Sequence, residues 1–329
     1  MQARKVLMMG GGTLLVSLPK DWARRNGVQK GSTLAVDELS GRKLIIRPIE
    51  DVGEKPKEIT IEYPKDDLTH VLNDVTGAYL LGYDVIHIQG GKVVPREDRE
   101  KLKDTMSRLI GLEIMYENSK TISMQFLLEP TGINPEKIAR RMASIIEGML
   151  KDTAEAVTEG NDRLLSLVAE RDDEVDRLYF LLVRIVRTAT IRLEVAESYG
   201  LAPVDVLDYR VLASFLESVG DAIVELSKRL LRQRAAAAVA KEYSVCIDKL
   251  TRLEDLAIRS FMTRKNEKQR QIYAEVNELS AEVSENLASL ARLPEAKQPA
   301  VIEMLGALER VSRLFVDISD LAVPSQSLS

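Results

Sequence analysis

The chain has 329 residues, a length for two or three domains with real cores. It is 45% hydrophobic and 29% charged with only 5% aromatics, which fits a helix-rich soluble protein better than a β-sandwich. Net charge is −5, yet residues 1–50 hold nine Lys/Arg against Asp21, Asp37, Glu38 and Glu50, a basic module of +5 ahead of a body of −10.

No run reaches the roughly 18 apolar residues that a membrane span needs, and the early VLMM is too short for a signal-peptide core. The single cysteine, Cys246, rules out an intramolecular disulfide and fits a reducing cytoplasm, so a cytoplasmic protein without membrane insertion is expected.

The first segment, residues 1–50, reads as short strands around one helix. Lys5–Met9 and Thr13–Leu18 are apolar runs joined by Gly10-Gly11-Gly12. A dinucleotide or phosphate loop needs a helix directly after its glycines, or a closing Gly-Lys-Ser/Thr. Here the strand-like TLLVSL follows, so the glycines make a hairpin turn. Pro19 and Asp21 then suit the first turn of a short helix, which Asn26-Gly27 ends. Ser32–Val36 and Lys43–Arg47 form a second strand pair around Glu38–Arg42.

The second segment, residues 55–130, alternates strands and helices: a strand at Glu58–Tyr63, a helix at Leu68–Leu81 and a strand at Tyr83–Gln89. A charged helix at Arg96–Ile110 and strands near Glu113–Tyr116 and Thr121–Leu128 complete it. The expectation is a small α+β sandwich of the ferredoxin-like sort, serving as a spacer or dimerising module.

The third segment, from Pro135 to about Leu321, is helical throughout. Leu212, Leu216, Val219, Ile223, Leu226 and Leu230 recur at alternating spacings of four and three, the stripe of a bundle helix. Breaks divide the segment into helices near 135–159, 162–197, 204–231, 235–263, 266–292 and 298–322. These make two three-helix units, 135–231 and 235–322, followed by a tail expected to be disordered. The fold class is thus multidomain and mainly α.

Asp172 and Asp176 lie four apart in RDDEVDRLYFLLVR, and Glu217 and Asp221 four apart in FLESVGDAIVEL. That spacing puts each pair on one helical face, where four carboxylates could hold a hard or borderline cation. The same residues also serve as an ordinary solvated acidic face. Catalysis finds little material. Asp67-x-x-His70 lies outside the bundle, His87 lies within a strand, Cys246 is placed in the core, and no nucleophile–base arrangement exists, so the chain is read as a non-enzyme.

Two resemblances sharpen this reading. LLVSLPKDWARRNGVQKGSTLAVDELSGRKLIIRP is similar to the AbrB/SpoVT swapped-hairpin family, through a strand ending in Pro, a short helix, a Gly-Val stop and Lys-Gly-Ser before the next strand. It implies that two chains interleave hairpins into one small β-barrel that binds DNA through a basic face. Arg24 and Arg25 would be the main contacts, helped by Arg4, Lys5 and Lys20. Many members carry an arginine in the first turn, where this chain has only glycines and Thr13. DDEVDRLYFLLVR followed by LESVGDA resembles the PhoU family of phosphate uptake regulators, tandem three-helix bundles whose acidic motifs bind metal in some members. The order of the two modules resembles a group known mainly from archaea.

Together the resemblances imply a homodimeric DNA-binding regulator of phosphate uptake whose partners include a phosphate transporter or sensor kinase. The alternative is an adaptor that dimerises through the barrel without binding DNA. The metal set would be Asp172, Asp176, Glu217 and Asp221, holding Mg, Ca, Mn or Fe. In the second unit Arg313 stands where an acid should follow Glu309, and the preceding helix offers Asn277, so at most one metal site per chain is expected.

Overall fold

The computed structural model describes residues 3–39, 43–48, 56–64, 67–232, 240–263, 269–292, 294 and 299–322. The chain forms two compact units, residues 1–56 and 57–329.

In the first unit, β1 (Val6–Met9) and β2 (Thr13–Val16) pair antiparallel with Val6 opposite Val16. Gly11 and Gly12 turn between them at φ 91° and 90°, a region where any other residue is strained. Helix α1 (Lys20–Arg25) starts after Pro19 and ends at Asn26, with Gly27 left-handed at φ 62°. The Val28 N–H then donates to Ala23 O at 2.8 Å, closing the last turn. Strands β3 (Leu34–Leu39) and β4 (Lys43–Pro48) form a second antiparallel pair, so β3 continues through Glu38, where the turn was expected. Its connection, 40–42, lies outside the described residues. Among the described residues each hairpin is a sheet of its own. The apolar side chains of β1 and β2, from Val6 to Val16, are 41–75% exposed on both faces.

The second unit begins with a four-stranded sheet: β5 (Glu58–Tyr63), β6 (Val85–Gly90), β7 (Leu112–Glu117) and β8 (Thr121–Phe126). Helix α2 (Leu68–Leu80) connects β5 to β6, and α3 (Arg96–Ser107) connects β6 to β7. Spatial order is β5-β6-β8-β7, with β5 parallel to β6 and the other pairs antiparallel. This corrects the ferredoxin-like expectation. That fold splits its βαβ units with an intervening strand and places its second helix between the last two strands. Here β5-α2-β6 is an undivided parallel unit, and α3 precedes a hairpin. Ile61, Ile86, Ile88, Ile122, Met124 and Phe126 bury one sheet face, while Glu58, Thr60, Glu62 and Gln89 are exposed on the other.

Helices α4 (Pro135–Glu159), α5 (Asp162–Ile191), a short α6 (Leu193–Ser198) and α7 (Pro203–Arg232) follow. Helices α8 (Ala240–Met262), α9 (Gln269–Leu290) and α10 (Pro299–Asp320) complete the bundle, and residues 235–239 of the expected fourth helix lie outside the described residues. Helix α4 has the expected bounds because Asn134 caps the Lys137 N–H at 3.1 Å, Pro135 opens the first turn and Gly160 ends it at φ 67°. The expected helix 162–197 breaks at Arg192, whose backbone is extended. Just before the break, Thr188 and Thr190 hydroxyls donate back to Arg184 O and Val186 O, at 2.9 and 3.0 Å, a pattern that bends helices.

All six residues of the Leu212–Leu230 stripe are buried. Helix α4 packs against α8 and α7 against α10, so the two helical triplets share one core. No described helix is long and apolar enough to cross a membrane.

Candidate DNA-binding face and acidic site

On the N-terminal unit, Arg4, Lys5, Lys20, Arg24 and Arg25 are all exposed. Arg24 donates from Nη2 to Asp21 Oδ1 at 3.1 Å, one turn back on α1. Side chains 82% and 78% exposed, as these are, gain little from such a pair, so Arg24 can exchange the carboxylate for a phosphate at small cost. The short α1 places Arg24 and Arg25 side by side in its last turn, where cations also oppose the helix dipole favourably.

In the second unit, α5 and α7 run side by side and bring the two acidic pairs to one face. The Asp172 carboxylate lies against the α7 backbone at Gly220, where Oδ1 sits 2.7 Å from the position a Cβ would take. Any other residue at 220 would push it away. One residue earlier, Arg171 fits against Gly148 of α4 in the same manner and pairs with Asp152 at 2.9 Å. Burial pushes the Asp172 carboxyl up to about 7, and the Asp176, Asp221, Asp173 and Glu217 charges add to it. Glu217 is also raised, by burial and then by Asp221 and Asp176.

Asp176 is raised by burial but held back by Arg108, whose guanidinium donates to its Oδ2. Arg108 caps the C-terminus of α3, so this cation comes from the sheet region and also lies 5.9 Å above the Phe180 ring. It is the residue of this acidic face that sequence reasoning missed. Nothing local marks an arginine 68 residues away from its partner.

The four predicted metal ligands are therefore neighbours, but not a finished ligand shell. Among the described residues no three acidic, histidine or cysteine side chains stand close enough to hold one ion. In the second triplet Arg313 pairs with Glu309, as their spacing implied.

The residues weighed for catalysis have structural partners. Asp67 caps α2 by accepting from the His70 N–H at 3.0 Å. His87 Nδ1 lies 2.8 Å from Ser123 Oγ on the sheet's open face. Cys246 is fully buried, and burial pushes its thiol up to about 12, which leaves no reactive thiolate.

Comparison with known proteins agrees with this division. Residues 139–230 match the PhoU domain, and residues 8–54 match the antidote-toxin recognition MazE family of bacterial antitoxins. A search of curated proteins gives no match. Among solved structures, PhoU from Pseudomonas aeruginosa is 15% identical over 57% of this chain and 93% of its own, with a TM-score of 0.30. The PhoU match ends at 230, ahead of α8–α10, the triplet in which Arg313 replaces the second acid. The chain thus carries a MazE/AbrB-like domain at its N-terminal end and a PhoU domain built from α4, α5, α6 and α7.

Proposed function

We propose that this protein is a homodimeric, DNA-binding regulator of phosphate uptake whose PhoU bundle senses phosphate status or docks on a transporter or sensor kinase. The observation that carries the reading is the presence of both matched domains on one chain. The two-faced apolar hairpin β1–β2 supports dimerisation, because a second copy interleaving its hairpins would bury that surface and remove four strand edges. Sedimentation is expected to find a dimer at micromolar concentration. A stable folded monomer there would remove the barrel from the reading.

Arg24, Arg25, Arg4, Lys5 and Lys20 are the proposed DNA contacts. On a fragment selected from genomic DNA, Arg25→Ala is expected to weaken binding and to reduce the salt slope by about one. Arg24→Ala is expected to do the same, less the small cost of its Asp21 pair. Unchanged affinity and slope in both variants would favour the adaptor reading, in which the N-terminal unit only dimerises.

The acidic face is proposed to accept one hard cation, Mg, Ca, Mn or Fe, through Asp172, Asp176, Glu217 and Asp221. The donors are all oxygen, and Arg108 already occupies the role of counter-cation at Asp176, so a metal would have to displace it. Metal-stripped protein is expected to show saturable uptake that tightens in Arg108→Ala and disappears in Asp176→Asn with Asp221→Asn. At one hundred times its dissociation constant such an ion would stabilise the fold by about 2.7 kcal/mol. Equal uptake by the double variant would exclude the site, whereas Glu309→Gln should change nothing.

A further inference from the structure

Strand β5 is an edge strand, paired on one side only with β6. Lys57 O accepts from the Asp84 and Val85 N–H groups, at 2.8 and 3.2 Å, which fixes the ladder: odd-numbered residues of β5 bond to β6. The N–H and C=O groups of Glu58, Thr60 and Glu62 consequently point away from the sheet. Among the described residues no other segment pairs with that edge.

Proteins commonly blunt such edges with Pro, Lys, a bulge or a covering loop. The opposite edge, β7, carries a bulge between Ile114 and Tyr116. The stretch EITIEY of β5 has neither Pro nor Lys, and its register with β6 is regular throughout; its charges, Glu58 and Glu62, guard the edge against an acidic strand and leave it open to a basic one.

Beside the open edge lies a groove of about 460 Å³ between β5 and α2, lined by residues that include Ile59, Gly77, Ala78 and Leu81. Gly77 faces open space, since a Cβ there would meet nothing within 4 Å. Leu81 is 51% exposed although it is a large apolar side chain. The charged residues of the lining, Glu62 and Asp74, are both acidic, and Glu58 adds a third carboxylate along the strand. Two bases stand beside these carboxylates: His87 Nε2 lies 3.8 Å from Glu58 Oε2, and Lys57 is turned onto Leu81 O at 3.0 Å and over the Tyr83 ring at 4.2 Å.

We propose that β5 is a docking edge for an extended peptide of another protein that alternates apolar and basic residues. The peptide would add a fifth strand to the sheet through the outward groups of Glu58, Thr60 and Glu62. Its apolar side chains would enter the groove against Ile59, Ala78 and Leu81, and the alternate basic ones would meet Glu58 and Glu62. Main-chain pairing supplies the affinity in this mode, and the alternation supplies the specificity. The carboxylates select the partner's charge.

A labelled synthetic peptide of about eight residues, alternating valine with lysine, matches the strand length and serves as the probe. With the full chain it should bind saturably, while the same peptide carrying glutamate for lysine should not. Thr60→Pro removes an outward N–H without touching the ladder to β6, and should weaken binding about tenfold. Gly77→Leu fills the groove while improving helix propensity, and should abolish binding with the thermal midpoint held or raised. The double variant Glu58→Lys with Glu62→Lys should reverse the preference between the two probes. No saturable binding, or equal binding to the Thr60→Pro and Gly77→Leu variants, overturns the proposal. So does a fall in the sedimenting mass of the peptide-free chain on Thr60→Pro, which would assign the edge to a second copy of this chain.

Discussion

Replacing Glu254 by Gln should stabilise the protein increasingly as pH rises from about 4.5 to 8, and by a constant amount above that range. Glu254 lies on α8 and is 4% exposed. Burial pushes its carboxyl up to about 8, helped by the Glu147 and Asp255 charges. Lys151 opposes this, but its ammonium is already paired with Glu147 at 2.6 Å. The folded pKa thus lies above the unfolded one, so the protonated acid contributes stability that is complete below about 4.5. That contribution is lost as pH climbs through 8, at about 1.4 kcal/mol per unit where the slope is steepest. Glutamine cannot ionise and escapes the loss. By pH 8 the variant is expected to lead by on the order of 4 kcal/mol. Urea unfolding of both proteins at several pH values checks this. A difference that does not change with pH would mean that Glu254 is not buried as a neutral acid.

The second large effect concerns Arg184, 1% exposed in the apolar run YFLLVRIVR of α5. Its Nη1 donates to Tyr79 O at 2.6 Å, Nη2 lies 3.7 Å from Asp84, and the guanidinium stacks 3.8 Å from the Phe126 ring centre. Nε is buried with no hydrogen-bond partner, and desolvation pulls the pKa down to about 10, still charged at neutral pH. A cation so incompletely satisfied contributes more by filling space and tying α5 to the sheet than by its charge. Arg184→Ala should cost about 3 kcal/mol, since it opens a cavity beneath two rings and frees α2 and β8 from α5. Arg184→Met refills the space, and Tyr79 O keeps the Gly82 N–H at 3.0 Å, so its loss should be about 1 kcal/mol or less. Equal losses in the two variants would show that the charge dominates.

Arg184 also marks where sequence reasoning ends. Breaks in the sequence bounded the helix that holds it, and a lone arginine in the run YFLLVRIVR gives no local sign of being buried. Its partners, Tyr79, Asp84 and Phe126, come from α2, the start of β6 and β8, and no local pattern announces them. Arg108 escaped for the same reason. By contrast, the bounds of α4 were legible from Asn134, Pro135 and Gly160, because caps and stops act within a few residues. The acidic face was legible as two pairs with helical spacing, since four residues is one turn whatever the tertiary context. Strand order in the sheet was not legible. It depends on which edges meet, and EITIEY reads alike as an inner or an outer strand.

The two glycines beneath α5 bear on how far this helix can turn. Arg171 engages α4 at Gly148 and Asp172 engages α7 at Gly220, so consecutive side chains are seated in opposite neighbours. Consecutive positions on a helix lie about 100° apart, and rolling α5 in either direction would lift both from their seats together. The helix is keyed like a shaft with two splines. The two seats therefore set the roll of α5 between α4 and α7, and a larger side chain at either glycine is expected to turn the helix out of that setting.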